Sequence, residues 1–444
     1  MREYLIYGSI AAAAVLIILI TVCIILRRHN RKMPSRLVTS LLPKEATLKT
    51  DNSTEIVDCR SLVHGDIILV APGEIVPIDC ILLEKTASFA KGSMFTTMDN
   101  TTLYEGDEVQ GGLCLTGESP VHLKVAANYE DSFFVKCTNI YLESVKKVSF
   151  YGLPSRYIKR ITNLFKNGIL IVNPGCLKSL RRTKAALFDK QSILNPESYE
   201  LKEIIPNPES GLSKKELLIY AAKAETPYCD SAIGRCLINA SKDFYLLSEV
   251  TSTAHFSSLG IETTIDSDTI IVGSFALLQE KHIKKLPDFS PSETAPQPVN
   301  TITLHVALND SYIGSLILSS DIREDVHDIL TYYKRKHIST VLLAANDICC
   351  DTSQFNLSHC NFKSIIAAVP LDNVYTGILT LRKKIRKHRT RASLAYFDTT
   401  LTDSTICNMA DIKILVGPVP IHKDITYADI VLLSNNCYSY FAQN

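Results

Sequence analysis

The sequence predicts an α/β fold with an additional all-β domain and one N-terminal transmembrane helix, and three observations lead to this prediction. Residues 4–26 contain no charged side chain. Residues 46–136 are short β-branched runs separated by Gly, Asp and Asn, as is typical of β-domains. The apolar run at residues 185–188 ends at Asp189, and open α/β sheets carry functional groups at the carboxyl ends of such strands.

The membrane segment stands at the start of the chain. Residues 4–26 are long enough to cross a hydrocarbon core of about 30 Å, and they lack the short apolar core and cleavage site of a signal peptide. Five basic residues follow between positions 27 and 36, against Arg2 alone on the other side. The positive-inside rule therefore predicts a single-pass protein of the cell membrane, with residues 27–45 as a basic juxtamembrane linker and cytoplasmic C-terminal domains.

The overall composition disfavours two classes of function. The chain has 444 residues, enough for about three domains, and its 47 basic and 46 acidic residues give a net charge of +1. No global field favours nucleic acid, so no nucleic-acid partner is expected. The 13 cysteines include no Cys-x-x-Cys pair, which favours scattered apolar side chains in a reducing compartment over a metal or redox site.

Residues 65–79 carry the first family signal. They read GDIILVAPGEIVPID and combine a strand-like run, a Pro-Gly turn and a Pro-x-Asp bend that ends at Asp79. This spacing closely resembles the actuator domain of P-type ATPases. The resemblance implies that residues 46–137 form an actuator-like β domain.

The second family signal begins at Asp189. The five residues from this position read DKQSI and resemble the phosphorylation motif Asp-Lys-Thr-Gly-Thr of the same family. Asp189 and Lys190 match the catalytic pair, and the distance from Gly168 matches the heavy-metal-transporting branch. The resemblance implies a haloacid-dehalogenase-like Rossmann phosphorylation domain at residues 181–196 and 311–436, an inserted α+β nucleotide-binding-like domain at residues 197–310, and a tail at residues 437–444.

The stretch before Asp189 departs from the family. The resemblance implies ion-binding membrane helices there, but residues 138–180 read as a linker with a helix-like pattern interrupted by Pro154, and they contain no Cys-Pro-Cys. The sequence is thus identified as a degenerate P-type ATPase of the heavy-metal branch that lacks all but one transmembrane helix.

Other family motifs survive only in part. Asp321 stands in an Asp-x-x-Arg-like turn, Asp347 stands where the family has Thr-Gly-Asp, and Asn373 replaces the lysine of Pro-x-Asp-Lys. Gly260 and Gly273 resemble the glycines of the nucleotide-binding domain, but its His-Pro dipeptide is Asp-Ser here. These losses predict ATP binding weaker than millimolar, about −4 kcal/mol or less favourable, so ATP is a doubtful cofactor.

Three aspartates form a candidate metal site. In the fold that the resemblance implies, Asp189, Asp398 and Asp403 gather at a strand-end cleft, and carboxylates there suit a hard cation such as Mg²⁺. The alternative is that they are solvated relics of an inherited fold. Mg²⁺ is the one metal cofactor that these residues suggest.

One motif conflicts with the register of the actuator-like domain. Residues 115–121 spell the family's dephosphorylation motif, but Thr116 lies 37 residues after Asp79, more than twice the family's distance. The family's spacing leads instead to a degenerate dephosphorylation loop with Thr96, Thr97, Met98 and Asp99. Met98 then replaces the glutamate that orients water, and a thioether is a poor proton acceptor. The alternative is an insertion that leaves Glu118 functional.

The altered motifs favour a membrane-anchored pseudoenzyme with a cytoplasmic binding or regulatory role, because phosphoryl transfer depends on positioned charge. One helix cannot enclose an ion path, so transport by this chain alone is not expected. Two alternatives are a residual Mg²⁺-dependent phosphohydrolase that uses Asp189 and the cytoplasmic half of a split cation-transporting P-type ATPase. The expected partners are the membrane, through the N-terminal helix, and a protein, with a polytopic membrane protein as a candidate. The basic run at residues 382–391 indicates either a solvated helix face or a contact with anionic lipid.

Overall fold

The structure is a computed structural model, and the chain divides into two compact units. It describes residues 21–22, 24–25, 43–50, 53–90, 101–151, 153–154, 156–195, 198–229, 231–242, 250–256, 260–265, 267–287, 300–344, 362–367, 371–387, 389–401, 403–417, 425–433, 437–438 and 441. The predicted transmembrane helix and most of the predicted linker at residues 27–45 lie outside these ranges. Within the ranges, no helix has both the length and the apolar character needed to cross a bilayer.

The first unit, mainly residues 1–175, contains the all-β domain. Its strands are β1 Glu45–Lys49, β2 Thr54–Asp58, β3 Ile67–Val70, β4 Cys80–Leu82, β5 Thr86–Ala90, β6 Thr101–Tyr104, β7 Glu108–Val109, β8 Cys114–Leu115 and β9 Val121–Val125. An antiparallel sheet has the order β2-β1-β3-β9-β4-β7, and a smaller one has the order β6-β5-β8. Strand β9 alternates buried Val and Leu with more exposed His and Lys, which is the period-two pattern of a half-buried strand.

Asp79 stabilises the bend at the end of the sequence signal in this domain. Its carboxylate is fully buried and accepts hydrogen bonds from the Gly111 amide at 2.8 Å, the Ser132 hydroxyl at 2.9 Å and the Phe133 amide. A buried carboxylate is stable only with such donors. Through these contacts, the bend before strand β4 is bound to residues 132–133, where the first helix of the unit begins.

Two helices and a strand complete the first unit. Helix α1 spans Phe133–Phe150, helix α2 spans Arg156–Lys166, and strand β10 spans Ile169–Ile171. The rings of Tyr141 and Phe165 stack with centroids 4.3 Å apart, and the Tyr141 hydroxyl lies 2.8 Å from Thr162 Oγ1. Most of the region that the sequence predicted as a linker, residues 138–180, is therefore folded, with the helices separated near Pro154.

The second unit, mainly residues 176–443, contains two sheets. Its strands are β11 Thr183–Asp189, β12 Glu200–Pro206, β13 Val250–Phe256, β14 Gly260–Ile265, β15 Asp268–Gly273, β16 Thr301–Leu308, β17 Ser311–Ser319, β18 Ser339–Ala344, β19 Ser364–Ala367, β20 Ser393–Asp398, β21 Ile412–Val416 and β22 Ile430–Leu432. Its helices are α3 Cys176–Leu180, α4 Lys214–Glu225, α5 Ala232–Ser241, α6 Phe275–Glu280, α7 Val326–Arg335, α8 Leu371–Arg386 and α9 Ser404–Met409.

The first of these sheets is parallel and places Asp189 at its edge. Those of its strands that belong to the second unit have the order β22-β21-β20-β11-β18-β19, with β11 between β20 and β18. Strand β11 is almost wholly buried, which suits a strand covered on both faces. The Phe188 and Phe397 rings stack at 4.4 Å beneath the edge at which the strands end.

The second sheet is antiparallel, has the order β12-β17-β16-β15-β14-β13, and packs against α4. Residues 311–319, predicted to open the second half of the phosphorylation domain, instead form strand β17, an interior strand of this sheet between β12 and β16. The predicted boundary at residue 310 therefore falls inside a hairpin, because β16 and β17 pair along their length. The predicted fold class, α/β with an inserted α+β domain and a separate all-β domain, is confirmed.

Candidate functional site

Strand β11 delivers Asp189 to the carboxyl edge of the parallel sheet. The side chain is 4% exposed, and its Oδ1 accepts a hydrogen bond of 2.9 Å from the Gln191 amide. It thereby caps a 3-10 turn that spans Lys190–Ile193. The Ser192 hydroxyl donates to the Asp189 carbonyl at 2.7 Å, and Lys190 is also buried. The loop after the aspartate is thus a closed turn held by its own side chains.

Tyr438 stabilises this turn through a hydrogen bond to its backbone. It is fully buried, its hydroxyl donates to the Ser192 carbonyl at 2.9 Å, and its amide donates to Asp325 Oδ2 at 2.7 Å. The Arg323 guanidinium lies 4.8 Å from the ring centroid and also donates to the Gly417 carbonyl. Burial raises the pKa of Asp325, although the Arg323 charge opposes this shift.

Tyr438 was not predicted as a site residue, because it lies in the stretch predicted to be a tail, residues 437–444. Three apolar or aromatic residues in that short stretch are buried, namely Cys437, Tyr438 and Phe441. Their presence in an otherwise polar terminus was the available signal, because solvated tails rarely carry several aromatic side chains.

Asp398 ends strand β20 beside Asp189, and its loop surrounds its carboxylate. The group accepts hydrogen bonds from the Tyr396 hydroxyl at 3.1 Å, the Leu401 amide at 2.8 Å, and the amide and hydroxyl of Thr400, both at 3.3 Å. Leu401 adopts a φ of 52°, a left-handed conformation that a branched side chain rarely takes. The loop is therefore shaped to enclose the carboxylate.

Asp403 serves as the N-cap of helix α9. Its Oδ1 accepts from the Ile406 amide at 2.9 Å, and its Oδ2 accepts from the Tyr375 hydroxyl at 3.2 Å. Such a cap satisfies a backbone donor that the first helical turn leaves without a partner.

The predicted metal ligands do not gather into one cluster. Among the residues that the structure describes, no three His, Cys, Asp or Glu side chains stand close enough to hold a metal ion. The physical reason is that Asp189, Asp398 and Asp403 each turn toward donors in their own loops. Mg²⁺ binding at these residues stays a prediction, because the described part of the chain holds no preassembled site.

A cavity of about 140 Å³ opens between the edge of the parallel sheet and the inserted domain, both within the second unit. Asp189, Gln191, Asp398 and Thr400 line one side. The other side includes Glu225, Ser231, Gly260, Ile261, Gly273 and Ile302. Its volume is small beside the range of ligand pockets, which is roughly 300–1,000 Å³.

Two predicted glycines and one carboxyl define the inserted-domain side of the cavity. Gly260 pairs with Gly273 across β14 and β15, and a Cβ on Gly260 would lie 2.3 Å from the Val272 carbonyl oxygen. Close strand approach therefore explains Gly260 without a ligand. Glu225 is buried at the end of α4, and burial raises the pKa of its carboxyl to about 8.

The remaining predicted residues are dispersed. Asp321 is exposed, and its amide donates to Ser198 Oγ at 2.8 Å. Asn373 lies in helix α8. Glu118 is exposed in the turn between β8 and β9, where the Thr116 hydroxyl donates to the Ser88 carbonyl. Four residues of the predicted dephosphorylation loop and one relic lie outside the described residues: Thr96, Thr97, Met98, Asp99 and Asp347.

Comparison with known proteins points to one family. Residues 40–141 match the P-type ATPase actuator domain. The chain is 22% identical to the cadmium, zinc and cobalt-transporting ATPase of Bacillus subtilis (strain 168), over 92% of this chain and 63% of that protein. It is also 22% identical to the zinc-transporting ATPase of Synechocystis sp. (strain ATCC 27184 / PCC 6803 / Kazusa), over 88% of this chain and 60% of that protein. The chain thus spans about three fifths of the length of these curated relatives.

Solved structures of similar proteins include a zinc-transporting PIB-type ATPase in the E2.Pi state, at 17% identity and a TM-score of 0.33, over 94% of this chain and 76% of that one. They also include the catalytic domain of the CPx-ATPase CopB-B, at 17% identity and a TM-score of 0.46, over 64% of this chain and 98% of that one.

Proposed function

We propose that the chain is a membrane-anchored pseudoenzyme with a cytoplasmic binding or regulatory role, and its similarity to heavy-metal-transporting P-type ATPases together with its altered motifs supports this proposal. The region that follows the actuator-like domain holds helices α1 and α2, where the family resemblance implied ion-binding membrane helices.

The observation that supports the proposal most strongly is the hydrogen bonding of the three acidic side chains at the sheet edge. Asp189 caps the turn that follows it, Asp398 accepts four hydrogen bonds from its own loop and its own strand, and Asp403 caps α9. Each carboxylate has a structural role that accounts for its presence without catalysis. These roles support an inherited fold that no longer transfers phosphate.

The sequence changes around Asp189 point the same way. Phosphoryl transfer requires cationic groups at the transferring oxygens, and the loss of one stabilising group commonly costs several kcal/mol. Here Gln191 and Ile193 stand where the family has threonines, and Asn373 stands where it has a lysine. Two independent losses of about 3 kcal/mol would slow the step roughly 10⁴-fold.

The test is phosphorylation of Asp189. The purified full chain, incubated with labelled ATP and Mg²⁺, should acquire no hydroxylamine-sensitive label, and Asp189→Asn should leave the protein's cellular role unchanged. A heavy-metal-transporting relative treated in parallel checks that the assay detects an aspartyl phosphate. Label on the unaltered chain that Asp189→Asn abolishes would refute the proposal.

One observation favours a second candidate, a residual phosphohydrolase. Asp189 and Asp398 line the same 140 Å³ cavity, so a small phosphoester could reach both carboxylates. This candidate predicts Mg²⁺-dependent turnover of a generic phosphoester that Asp189→Asn abolishes. The pseudoenzyme proposal predicts no turnover above that of the Asp189→Asn protein.

The names of the relatives favour a third candidate, the cytoplasmic half of a split cation-transporting ATPase. This candidate requires a polytopic membrane partner that supplies the ion path. A pull-down from membranes with the full chain as bait would then recover such a protein, together with metal-dependent ATP hydrolysis by the complex. A partner recovered without hydrolysis would support the regulatory role.

A further inference from the structure

The parallel sheet of the second unit gathers basic side chains at the edge opposite Asp189. Because β20, β11, β18 and β19 are adjacent and parallel, the segments that lead into them share the amino edge of the sheet. We call the exposed basic residues of these segments the basic face. Its members are Arg182, Lys334, Arg335, Lys336, Lys363, Lys383, Lys384, Lys387, Arg389 and Arg391.

The charge of the basic face is not neutralised by its neighbours. Two carboxylates stand at the same edge, before β21 and β22. Asp411 accepts from Arg386 at 2.7 Å and from the Leu394 amide at 2.9 Å, and Asp429 accepts from the Lys413 amide at 2.9 Å. Among the described residues, none of the ten members of the basic face forms an ion pair. The positive charge therefore points into solvent.

Helix α8 adds an apolar side chain to this charge. Leu379 is 41% exposed and lies one and two turns before Lys383 and Lys387 on the same side of the helix. These three residues line a shallow groove together with Arg382 and Arg386. The edge thus presents a leucine within a field of lysines.

We propose that the basic face rests on an anionic phospholipid surface. Four chain segments from adjacent strands supply its charges, and a bilayer offers a matching plane of phosphates. Each Lys or Arg close to such a surface strengthens attraction about fivefold, and an exposed leucine gains from insertion among lipid headgroups.

Nucleic acid is the less favoured occupant. Single-stranded nucleic acid is usually held by exposed aromatic side chains on which bases stack. Among the described residues of these segments, Tyr332 is half-buried beneath the Lys336 ammonium, which lies 5.7 Å from its ring centroid, and Tyr333 is buried. The basic face requires neither phosphorylation of Asp189 nor the pseudoenzyme role.

The absence of tryptophan from the sequence provides a clean probe. Leu379→Trp introduces a single indole at the edge of the groove. The full chain is reconstituted into vesicles of phosphatidylcholine alone, or of phosphatidylcholine with phosphatidylserine, each doped with a lipid that carries a quencher on its headgroup. Indole emission should be quenched in the anionic vesicles and much less in the neutral ones. Salt at 1 M should reverse the quenching, because the Debye length falls to about 3 Å.

A matched pair of variants tests the assignment to the basic face. On the Leu379→Trp background, Lys383→Gln, Lys384→Gln and Lys387→Gln together should lower the ratio of docked to free protein about 100-fold. Lys214→Gln, Lys242→Gln and Lys284→Gln remove the same charge from exposed positions of the inserted domain and should leave quenching unchanged. Flotation of the vesicles shows separately whether each variant is still held in the membrane by the predicted anchor.

Three results would overturn the proposal. Equal quenching in neutral and anionic vesicles would show that the anchor alone sets the distance between the indole and the lipid headgroups. An equal loss in both triple variants would show that net charge, rather than the basic face, is responsible. Quenching absent from anionic vesicles, together with an indole response to a single-stranded oligonucleotide, would assign the face to nucleic acid.

Discussion

Glu225 carries a protonation equilibrium that the fold itself determines. Burial at the end of α4 raises the pKa of its carboxyl from 4.5 to about 8. Between these two values the folded chain holds a proton that the unfolded chain releases. The contribution of this group to stability is therefore full at pH below about 4.5 and is lost as pH rises toward 8.

Glu225→Gln should remove this pH dependence, since glutamine resembles the protonated acid in shape and charge. The unfolding free energy of the variant should exceed that of the parent by an amount that grows with pH, and this difference should increase by roughly 2–4 kcal/mol from pH 5 to pH 8. Urea unfolding at several pH values measures the difference. Glu203→Gln, at an exposed position, is the control and should follow the parent. Parallel curves for Glu225→Gln and the parent would contradict the raised pKa.

At the scale of single residues, the sequence located Asp189 and Asp398 correctly at strand ends. A buried apolar run that stops at a polar residue is a local pattern, so it can be read without the fold. Tyr438 was not predictable in the same way. Its contact with the Ser192 carbonyl joins residues 246 positions apart, and no local pattern encodes such a pairing.

At the scale of elements, the inserted sheet depends on one close approach between strands. Gly260 has a φ of 147°, and an added Cβ would lie 2.3 Å from the Val272 oxygen and 2.5 Å from the Gly273 Cα. Neither contact can be relieved by a side-chain rotation, because both atoms belong to the backbone. The β14–β15 pair therefore cannot accept a side chain here without separating.

Gly260→Ala should destabilise the chain by about 3 kcal/mol or more, from overpacking together with an unfavourable φ. Gly211→Ala is the matched control, because Gly211 also has a positive φ, of 69°, but no atom stands within 4 Å of its added Cβ. Its cost should be about 1 kcal/mol. Denaturant unfolding compares the two variants, and equal losses would show that backbone conformation, rather than strand contact, makes Gly260 necessary.

The boundary of the inserted domain shows what the sequence could have predicted and did not. Asn309 and Asp310 both adopt positive φ, of 46° and 63°, as in the two-residue turns that favour Asn and Asp in hairpins. This Asn-Asp dipeptide, which connects β16 to β17, is a turn signal that predicts the hairpin from the sequence. The family resemblance placed Ser311 in the other domain, and the local signal was overlooked.

At the scale of the whole molecule, the net charge of +1 conceals a separation of charge. The carboxyl edge of the parallel sheet carries Asp189, Asp398 and Asp403, and the amino edge carries the basic face. Parallel strands create this separation, because each strand end meets ends of the same kind. Composition alone cannot show it, since a sum over the chain loses the position of each charge.

Membrane topology is the remaining prediction at this scale. Asn-x-Ser/Thr sequons begin at Asn52, Asn100, Asn239, Asn309 and Asn356. If the basic residues after position 26 hold the following domains in the cytoplasm, none of these sequons meets the glycosylation machinery of a eukaryotic secretory host. The full chain expressed there should keep its gel mobility after glycosidase treatment. A sequon in an extension fused ahead of Met1 should be glycosylated, because that end faces the lumen. Glycosidase-sensitive mobility without the extension would invert the predicted orientation and remove the anionic cytoplasmic leaflet as the natural surface for the basic face.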